Sequence, residues 1–192
     1  GVINDLGAGV PSRFTPINVR TDSGTLDVGV KQIYQAAWNP IGGLGDTYSN
    51  QIWLSISDPI LTGHPFSGKI IPIRATWEVE TNGINSSVQV PDDAIKWNSD
   101  LKKWEEIGTG ISAKSKISYD LKFNQWHHGP EMNMNDIIYS MYFISEWGSE
   151  RTKNDRTYDV DFSPQASQIL NTLKGIRVMD ENTIEVYTDF WH

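Results

Sequence analysis

Two pairs of adjacent carboxylates, Asp92–Asp93 and Glu105–Glu106, come closest in this chain to the chemistry of an active site. Glycoside hydrolysis needs two carboxyl groups about 5–10 Å apart, one of which acts as an acid. Both pairs fall on the edges of predicted hairpins, a placement that fits solvated surface acids better than catalysis. The chain also lacks a Gly-x-Ser-x-Gly elbow. The residues therefore predict no catalytic site.

Histidines and glycines give no stronger sign of a metal or a cofactor. His127 and His128 are adjacent, and because neighbours in a strand or turn point apart, two such residues rarely bind one ion. His64 and His192 are isolated. The Gly-Gly-Leu-Gly run at 42–45 lacks the Lys-Ser/Thr of a phosphate loop and does not complete a dinucleotide fingerprint. We therefore expect no metal, no cofactor and no enzymatic activity.

Composition narrows the remaining classes of function. The 192 residues include no cysteine, which excludes disulfides, thiolate metal sites and cysteine nucleophiles. The net charge is −8, from 24 acidic and 16 basic residues, and the basic residues form no stripe. Nucleic-acid binding is therefore disfavoured. The length allows one domain with its own core, and no apolar run is long enough to cross a membrane.

Aromatic content is the compositional feature that bears on binding. Twenty-one residues are aromatic, and eight of them are Trp. Exposed aromatic side chains commonly build surfaces that bind sugars or peptides. We select Trp38, Tyr139, Tyr142 and Trp147 as candidate ligand contacts, and a buried packing role is the alternative for each.

The segment 117–147 contains the elements that must position three of these four residues. Apolar and polar residues alternate at its start, which is the period of a half-buried strand. A turn with Gly and Pro follows. Asn133 then caps a helix, and Asp136 lies where its charge suits the helix N-terminus. The run Ile137–Trp147 is almost all apolar or aromatic, so the helix should be buried on more than one face.

Elsewhere the pattern predicts three hairpins and two further helices. The hairpins join 70–81 to 84–90 through Asn82-Gly83, 94–97 to 103–106, and the strands around Val178 and Val186. The helices begin after Asp46 or Ser49 and run from Ser163 to Leu173. Gly148–Asp159 is polar and should form an exposed loop. About three helices and eight short strands predict an α+β fold with a mixed or antiparallel sheet.

The order of strand, Trp-His-x-Gly turn and capped helix resembles a segment that identifies one class of extracellular solute-binding proteins. This class is family 5 of the ABC-transporter binding proteins, the oligopeptide/dipeptide-binding type. The matching residues are Leu121, Lys122, Trp126, His127, Gly129, Asp136, Ile137, Tyr139 and Ser140. The chain departs from the pattern at Asn133 and Met134, where Thr-Ala is usual, and by one extra residue in the turn.

Flanking segments extend the resemblance to roughly residues 35–192. Upstream, AAWNPIGGLGDTYSNQIWLSISDPI and RATWEVETNG are similar to family stretches that contain an Asn/Asp-Pro, a helix and a strand with a turn. Downstream, LKGIRVMDENTIEVYTDFW is similar to a strand–turn–strand segment. Residues 1–30 match no part of the pattern.

The resemblance implies a two-lobed fold of the periplasmic-binding-protein type, in which residues 1–192 form a single domain or a fragment, most of lobe I of a longer protein. It also implies the substrate-binding component of an ABC importer, located outside the cytoplasm, with a parent protein anchored to the membrane. Its partners would be an oligopeptide, or an oligosaccharide as the rival ligand, and the permease subunits. Ligand contacts are then expected from the backbone at about Tyr34 to Ala37, including Gln35, and from one ring of the helix Ile137–Trp147.

Two other classes of function stay open. One is a carbohydrate-acting hydrolase whose Trp-rich hairpins grip a glycan, and it requires facing carboxylates across an aromatic groove. The other is a glycan-binding or adhesive surface domain, for which a long flat aromatic patch without a cleft is expected.

Overall fold

The computed structural model describes residues 38–39, 43–44, 46–47, 49–50, 59–64, 66–81 and 87–191. The strands are β1 (Trp38–Asn39), β2 (Gly43–Leu44), β3 (Leu61–Gly63), β4 (Ile70–Pro72), β5 (Ala75–Thr81), β6 (Val88–Gln89), β7 (Ile95–Asn98), β8 (Lys103–Glu106), β9 (Ser112–Ala113), β10 (Ser115–Leu121), β11 (Leu173–Val178) and β12 (Thr183–Thr188). The helices are α1 (Met134–Trp147) and α2 (Ser163–Leu170). The sequence also predicts a strand over residues 28–35, and these residues lie outside the described ranges.

A six-stranded sheet in the order β5-β10-β12-β11-β7-β8 dominates the described residues. Each neighbouring pair in it is antiparallel. Three short two-stranded ladders, β1-β2, β3-β4 and β6-β9, accompany it. The α+β class and the antiparallel form of the expected sheet are therefore confirmed.

Helix α1 packs against one face of this sheet. Ile176 and Ile184 are each 1 % exposed and form a core cluster with Leu121 of β10 and Met134 of α1. On β12, Ile184 belongs to this cluster while Tyr187 belongs to a second one with Val88, Val90, Ala94 and Ala113. Because side chains alternate along a strand, the sheet has apolar contacts on both faces.

Two of the expected hairpins are confirmed. β7 and β8 pair so that Trp97 lies directly opposite Trp104. β11 and β12 pair across a turn in which Asp180 Oδ1 accepts the backbone N–H groups of Asn182 and Thr183, at 2.8 and 2.7 Å. Side chains within both turns, Asn98 and Asp180, accept local backbone N–H groups and so favour the two hairpins.

The turn of the hairpin expected at Asn82-Gly83 lies in residues 82–86, outside the described residues, and the expected pairing of 88–89 with β5 is wrong. β5 pairs with β10, and residues 88–89, which should return along β5, pair with β9 instead. The expected strand 70–81 is also two strands, β4 and β5, interrupted at Ile73 and Arg74.

The helices follow the predictions at their starts more closely than at their ends. Asp46 begins the first predicted helix, since its Oδ1 accepts the Ser49 N–H at 2.9 Å and its carbonyl accepts the Asn50 N–H at 3.0 Å. Of that helix only residues 47, 49 and 50 are described. α2 begins at Ser163 as predicted but ends at Leu170, because Leu173 is the buried first residue of β11.

Candidate functional site

Helix α1 carries the candidate site and begins where the sequence predicts. Asn133 Oδ1 accepts the Asn135 N–H, and Asp136 Oδ2 accepts the Asn133 N–H, each at 2.9 Å. These reciprocal bonds form a capping box, which satisfies donors at the helix start. From this start, a spacing of three residues brings Tyr139 next to Tyr142, and Phe143 lies four residues from both Tyr139 and Trp147.

The structure brings three of the predicted contacts into one line of rings. Tyr139 lies 5.5 Å from Tyr142 and 6.4 Å from Phe143, measured between ring centroids. Phe143 stacks on Trp147 at 5.5 Å. Phe162, just before α2, meets Phe143 edge-on at 5.6 Å.

The β7–β8 hairpin continues this line of rings. Trp97 meets Tyr142 edge-on at 4.6 Å, and Trp104 meets Trp97 at 5.5 Å. We call the whole set the aromatic row: Trp104, Trp97, Tyr142, Tyr139, Phe143, Trp147 and Phe162. Offset and edge-to-face contacts of this kind stabilise aromatic pairs beyond simple burial.

The aromatic row extends from the core, where Trp104 packs against the main cluster, to the surface at Tyr139. Tyr139 is 61 % exposed, and the other six rings are half-buried. The expectation that α1 is buried on more than one face is therefore wrong around Tyr139. The alternative that these aromatics are ordinary core residues does not describe Tyr139.

Sequence reasoning missed four members of the row: Trp97, Trp104, Phe143 and Phe162. The signal for Phe143 was its spacing of four residues from Tyr139, and the signal for the two Trp residues was their symmetry about the predicted hairpin turn. The remaining candidates are not joined to the row. Trp38 lies in β1, where its backbone pairs with Leu44 of β2, and Tyr34 and Gln35 lie outside the described residues.

A buried carboxylate holds the aromatic row in place through a hydrogen bond from the Trp97 indole. Glu146 is 2 % exposed, and its Oε2 accepts the Trp97 Nε1–H at 2.9 Å. Its Oε1 accepts Arg151 Nη1 at 2.7 Å and the Thr157 hydroxyl at 3.2 Å. Both carboxylate oxygens are therefore hydrogen-bonded, as a buried charge requires.

Arg151 links this carboxylate to two other parts of the chain, its own loop and the β7–β8 turn. Its Nε donates to Asp155 Oδ2 at 2.9 Å, and its Nη1 also donates to the Ser99 carbonyl at 2.8 Å in the β7–β8 turn. The side chains of Arg151 and Asp155 are each only 12 % exposed. The expectation of an exposed loop over Gly148–Asp159 is therefore wrong for these residues, because the guanidinium is drawn inward by Glu146.

The acids of this network are held in their charged forms. Burial by itself would raise the pKa of Glu146, but the hydrogen bonds from Trp97 and Arg151 outweigh it, and the pKa is lowered. The Thr157 backbone N–H, followed by Arg151, lowers the pKa of Asp155 to about 2. Burial, and then the Glu146 charge, raises the pKa of the Tyr142 hydroxyl. A general acid requires a raised carboxyl pKa, which is the opposite of what Glu146 and Asp155 have.

The acid pairs noted in the sequence contain charges that are already paired. Glu105 contacts Lys103 at 2.9 Å and accepts the Asn98 side-chain amide at 2.6 Å. Asp93 pairs with Arg177 at 2.9 Å. Among the residues that the structure describes, no group of three or more His, Asp or Glu is placed to hold a metal ion.

No helix within the described ranges is long and apolar enough to cross a membrane. Comparison with protein-family models and with curated protein sequences finds no match to this chain.

Proposed function

We propose that this chain forms part of the ligand-binding region of a solute-binding protein that serves an ABC importer. In this proposal the aromatic row contacts the ligand. The exposure of Tyr139 is the observation that carries the proposal. A ring that is 61 % exposed, yet held by two neighbouring rings, offers an oriented apolar surface to a partner. Such surfaces bind the faces of sugars and the side chains of peptides.

The contacts that hold the aromatic row favour ligand binding without rearrangement of its rings. The Trp97 indole is fixed by Glu146 at 2.9 Å, and Tyr142 packs on Trp97 at 4.6 Å. Because these side chains are already ordered, they would lose little conformational entropy when a ligand binds. In a two-lobed protein, closure of the second lobe would supply the rest of the burial and signal the loaded state to the permease.

The chemistry of the row also favours binding over catalysis. The two carboxylates that lie in the supporting network, Glu146 and Asp155, accept hydrogen bonds on both oxygens, and the pKa of each is lowered. The Tyr142 hydroxyl has a raised pKa and stays neutral, so that it can donate a hydrogen bond to a ligand. An oligopeptide is the ligand that the resemblance implies, and an oligosaccharide is the rival.

A glycan-binding surface domain is the second candidate, and the length of the row favours it. The rings continue from α1 onto the β7–β8 hairpin through Trp97 and Trp104, which resembles the extended patch of a surface binder. Such a domain would hold an insoluble polysaccharide without needing a second lobe.

A thermal-shift screen with separate pools of oligopeptides and oligosaccharides tests the proposal. We expect saturable stabilisation by one pool, reaching about 2.7 kcal/mol when the ligand is at roughly 100 times its dissociation constant. Tyr139→Ala should leave the fold intact and weaken the affinity about tenfold, because a stacked ring contributes about 1.4 kcal/mol.

Phe190→Ala is the matched control, since Phe190 is 62 % exposed and lies outside the row. Equal affinities of the two variants would overturn the role of the row. Absence of stabilisation by every pool, combined with retention on an insoluble polysaccharide, would select the surface domain instead.

A further inference from the structure

The outer edge of β5 is a surface that the proposed function does not use. β5 pairs with β10 along its whole length without a shift of register, and no other described strand pairs with it. The start of its outer edge is closed by the Ile60 carbonyl, which accepts the Ile73 and Arg74 N–H groups at 3.2 and 3.0 Å. From Thr76 to Glu80 the edge lacks the Pro residues and bulges that protect many sheet edges from further pairing.

Hydrogen bonds at the end of β10 show the direction of its backbone groups. The Lys122 N–H donates to the Arg74 carbonyl, just before β5, at 2.6 Å. The Leu121 N–H donates instead to the Asn182 carbonyl, just before β12, at 2.8 Å. Because this direction alternates along a strand, the even-numbered residues of β10 turn their backbone groups toward β5 and the odd-numbered residues toward β12.

The register of the ladder extends this alternation to β5. Glu78 lies opposite Ser118, an even-numbered residue, so the backbone groups of Glu78 point toward β10. Those of Trp77 and Val79, on either side of it, therefore point outward from the edge of the sheet. N–H and carbonyl groups spaced two residues apart in this way are what an added antiparallel strand pairs with.

The side chains of β5 give this edge two different faces. Val79, 55 % exposed, and Trp77 lie on the face that carries Ala75 of the core. Glu78 and Glu80 are exposed on the opposite face, because successive side chains of a strand alternate. A strand added at this edge therefore meets apolar and acidic side chains in turn.

The acidic face also carries a cation, Lys116, which contacts Glu80 at 2.7 Å and Glu185 at 3.8 Å. The hydrogen bond to Glu80 is the main reason that the pKa of Lys116 is raised, and Glu78 contributes least. Within the described ranges no ion pair is formed by Glu78 or Asp120, which both line an open groove of about 290 Å³ beside β5. A cationic side chain is the complement of this groove.

We infer that the open edge of β5 pairs with an extended, antiparallel segment of a partner protein in which Lys or Arg alternates with apolar residues. Apolar residues of the segment lie opposite Trp77 and Val79. The basic residue between them lies opposite Glu78, where its side chain enters the groove toward Asp120. Because the recognition uses backbone groups and alternate side chains, it requires no chain terminus, and an internal segment fits.

Charge selects this partner over a second copy of the same chain. Two antiparallel β5 strands would bring Glu78 opposite either Glu78 or Glu80 of the other copy, and like charges in such positions are destabilising. The surface is also independent of the aromatic row. β5 and β8 are the two ends of the six-stranded sheet, and the row extends onto β8.

Titration of the 192-residue protein with the capped peptide acetyl-Lys-Val-Lys-Val-Lys-amide tests the edge, followed by NMR at the Trp77 and Val79 backbone amides. We expect a dissociation constant on the order of 1 mM, and slower exchange of these two amide protons with solvent in the complex. The Glu78 amide, which already faces β10, is the internal reference, and its exchange rate should change by less than about twofold.

N-methylated peptides test backbone pairing, as distinct from attraction between opposite charges. The Val N–H groups face β5 in the proposed pairing, so methylation of both Val nitrogens should weaken binding about tenfold. The Lys N–H groups face away, so methylation of the second and third Lys nitrogens should change the affinity by less than about twofold. The capped peptide Lys-Lys-Lys-Val-Val has the same charge without the alternation and should bind about five times more weakly.

Variants of the protein test the charge. Glu78→Gln should weaken binding of the alternating peptide about threefold, because one exposed ion pair is lost. Glu106→Gln is the matched control, since Glu106 is exposed on β8 at the opposite edge of the sheet, and it should leave the affinity unchanged. Equal affinities of the two variants would overturn the role of Glu78.

Equal affinities for the two N-methylated peptides would overturn the pairing, and so would unshifted Trp77 and Val79 amides with the alternating peptide at about 10 mM. Protection of these amides that rises with protein concentration, without peptide, would assign the edge to a second copy instead. Binding that requires free peptide termini would replace the internal segment by a free oligopeptide. Because the readout lies on β5, each of these results is independent of Tyr139→Ala, which tests the aromatic row.

Discussion

The two ends of α1 are held by different kinds of contact. At the N-terminal end, Asn133 and Asp136 satisfy each other three residues apart in sequence. At the C-terminal end, Glu146 is held by Trp97, 49 residues away, and by Arg151, which also reaches the Ser99 carbonyl 52 residues away. The first end is a local structure, and the second exists only when the hairpin and the following loop have docked.

The difference shows which parts of the helix can be specified locally. A capping box needs only the helix it caps, so its contribution is limited to about 1 kcal/mol. A buried carboxylate needs every partner present at once, since each missing hydrogen bond leaves a charge in a dry environment. Of the two, the end held by long-range contacts supports the aromatic row.

Among the variants that test this comparison, Arg151→Ala should lower the free energy of unfolding most. It removes the 2.7 Å ion pair to Glu146, whose side chain is 3 % exposed, and leaves a buried carboxylate without its cation. We expect the free energy of unfolding, measured by urea denaturation, to fall by about 3–5 kcal/mol. Lys153→Ala in the same loop is exposed and should change it by less than about 0.5 kcal/mol. Similar values for the two variants would mean that the network does not secure the helix.

Trp97→Phe should give the second largest effect. It keeps a ring against Tyr142 but deletes the Nε1–H that donates to Glu146 Oε2. Hydrogen bonds to charged groups contribute about 1.5–3 kcal/mol, so a loss of about 2 kcal/mol is expected in the same assay. Trp104→Phe is the matched control, because among the described residues the Trp104 indole donates no hydrogen bond to this network. A loss no larger in Trp97→Phe than in Trp104→Phe would assign the effect to ring size alone.

Asn133→Ala tests the local end and should cost less. It deletes the oxygen that accepts the Asn135 N–H, for an expected loss of about 1 kcal/mol of unfolding free energy. Asn135→Ala, at an exposed position in the same helical turn, should be close to neutral. If Asn133→Ala costs as much as Arg151→Ala, the proposed distinction between the two ends of α1 is incorrect.

Acid should weaken the contacts of Glu146 and Asp155 at the C-terminal end of α1, whereas pH changes near neutrality should not affect them. The pKa of Glu146 is lowered from 4.5, and that of Asp155 is lowered from 3.8 to about 2. A lowered folded-state pKa gives stability that is present above the unfolded pKa and is lost as pH falls through the folded one. The unfolding free energy should therefore be level above about pH 5 and decline from there to about pH 2. In Arg151→Ala the slope of this decline should be shallower, and an unchanged slope would contradict the role of these two acids.

Much of the local structure could be predicted from particular residues. The cap at Asn133, the hairpin between β7 and β8, and the turn at Asp180 are each encoded within a few neighbouring residues. The signal at Asn82-Gly83 is equally good, yet residues 88–89 pair with β9 rather than with β5. Pairing between distant strands depends on the whole sheet, so a turn signal alone does not decide it.

The sequence by itself determined the α+β class, the start of α1 and the spacing that places Tyr139 beside Tyr142 and Phe143, because these depend on local backbone preferences and helical periodicity. Only the tertiary structure decided that Trp97 extends the row, that Glu146 and Arg151 are buried together, and that β5 pairs with β10. The physical reason is that burial, ion pairing and strand pairing arise between segments distant in sequence. Their energies depend on which charges lose water together, and no local pattern records that.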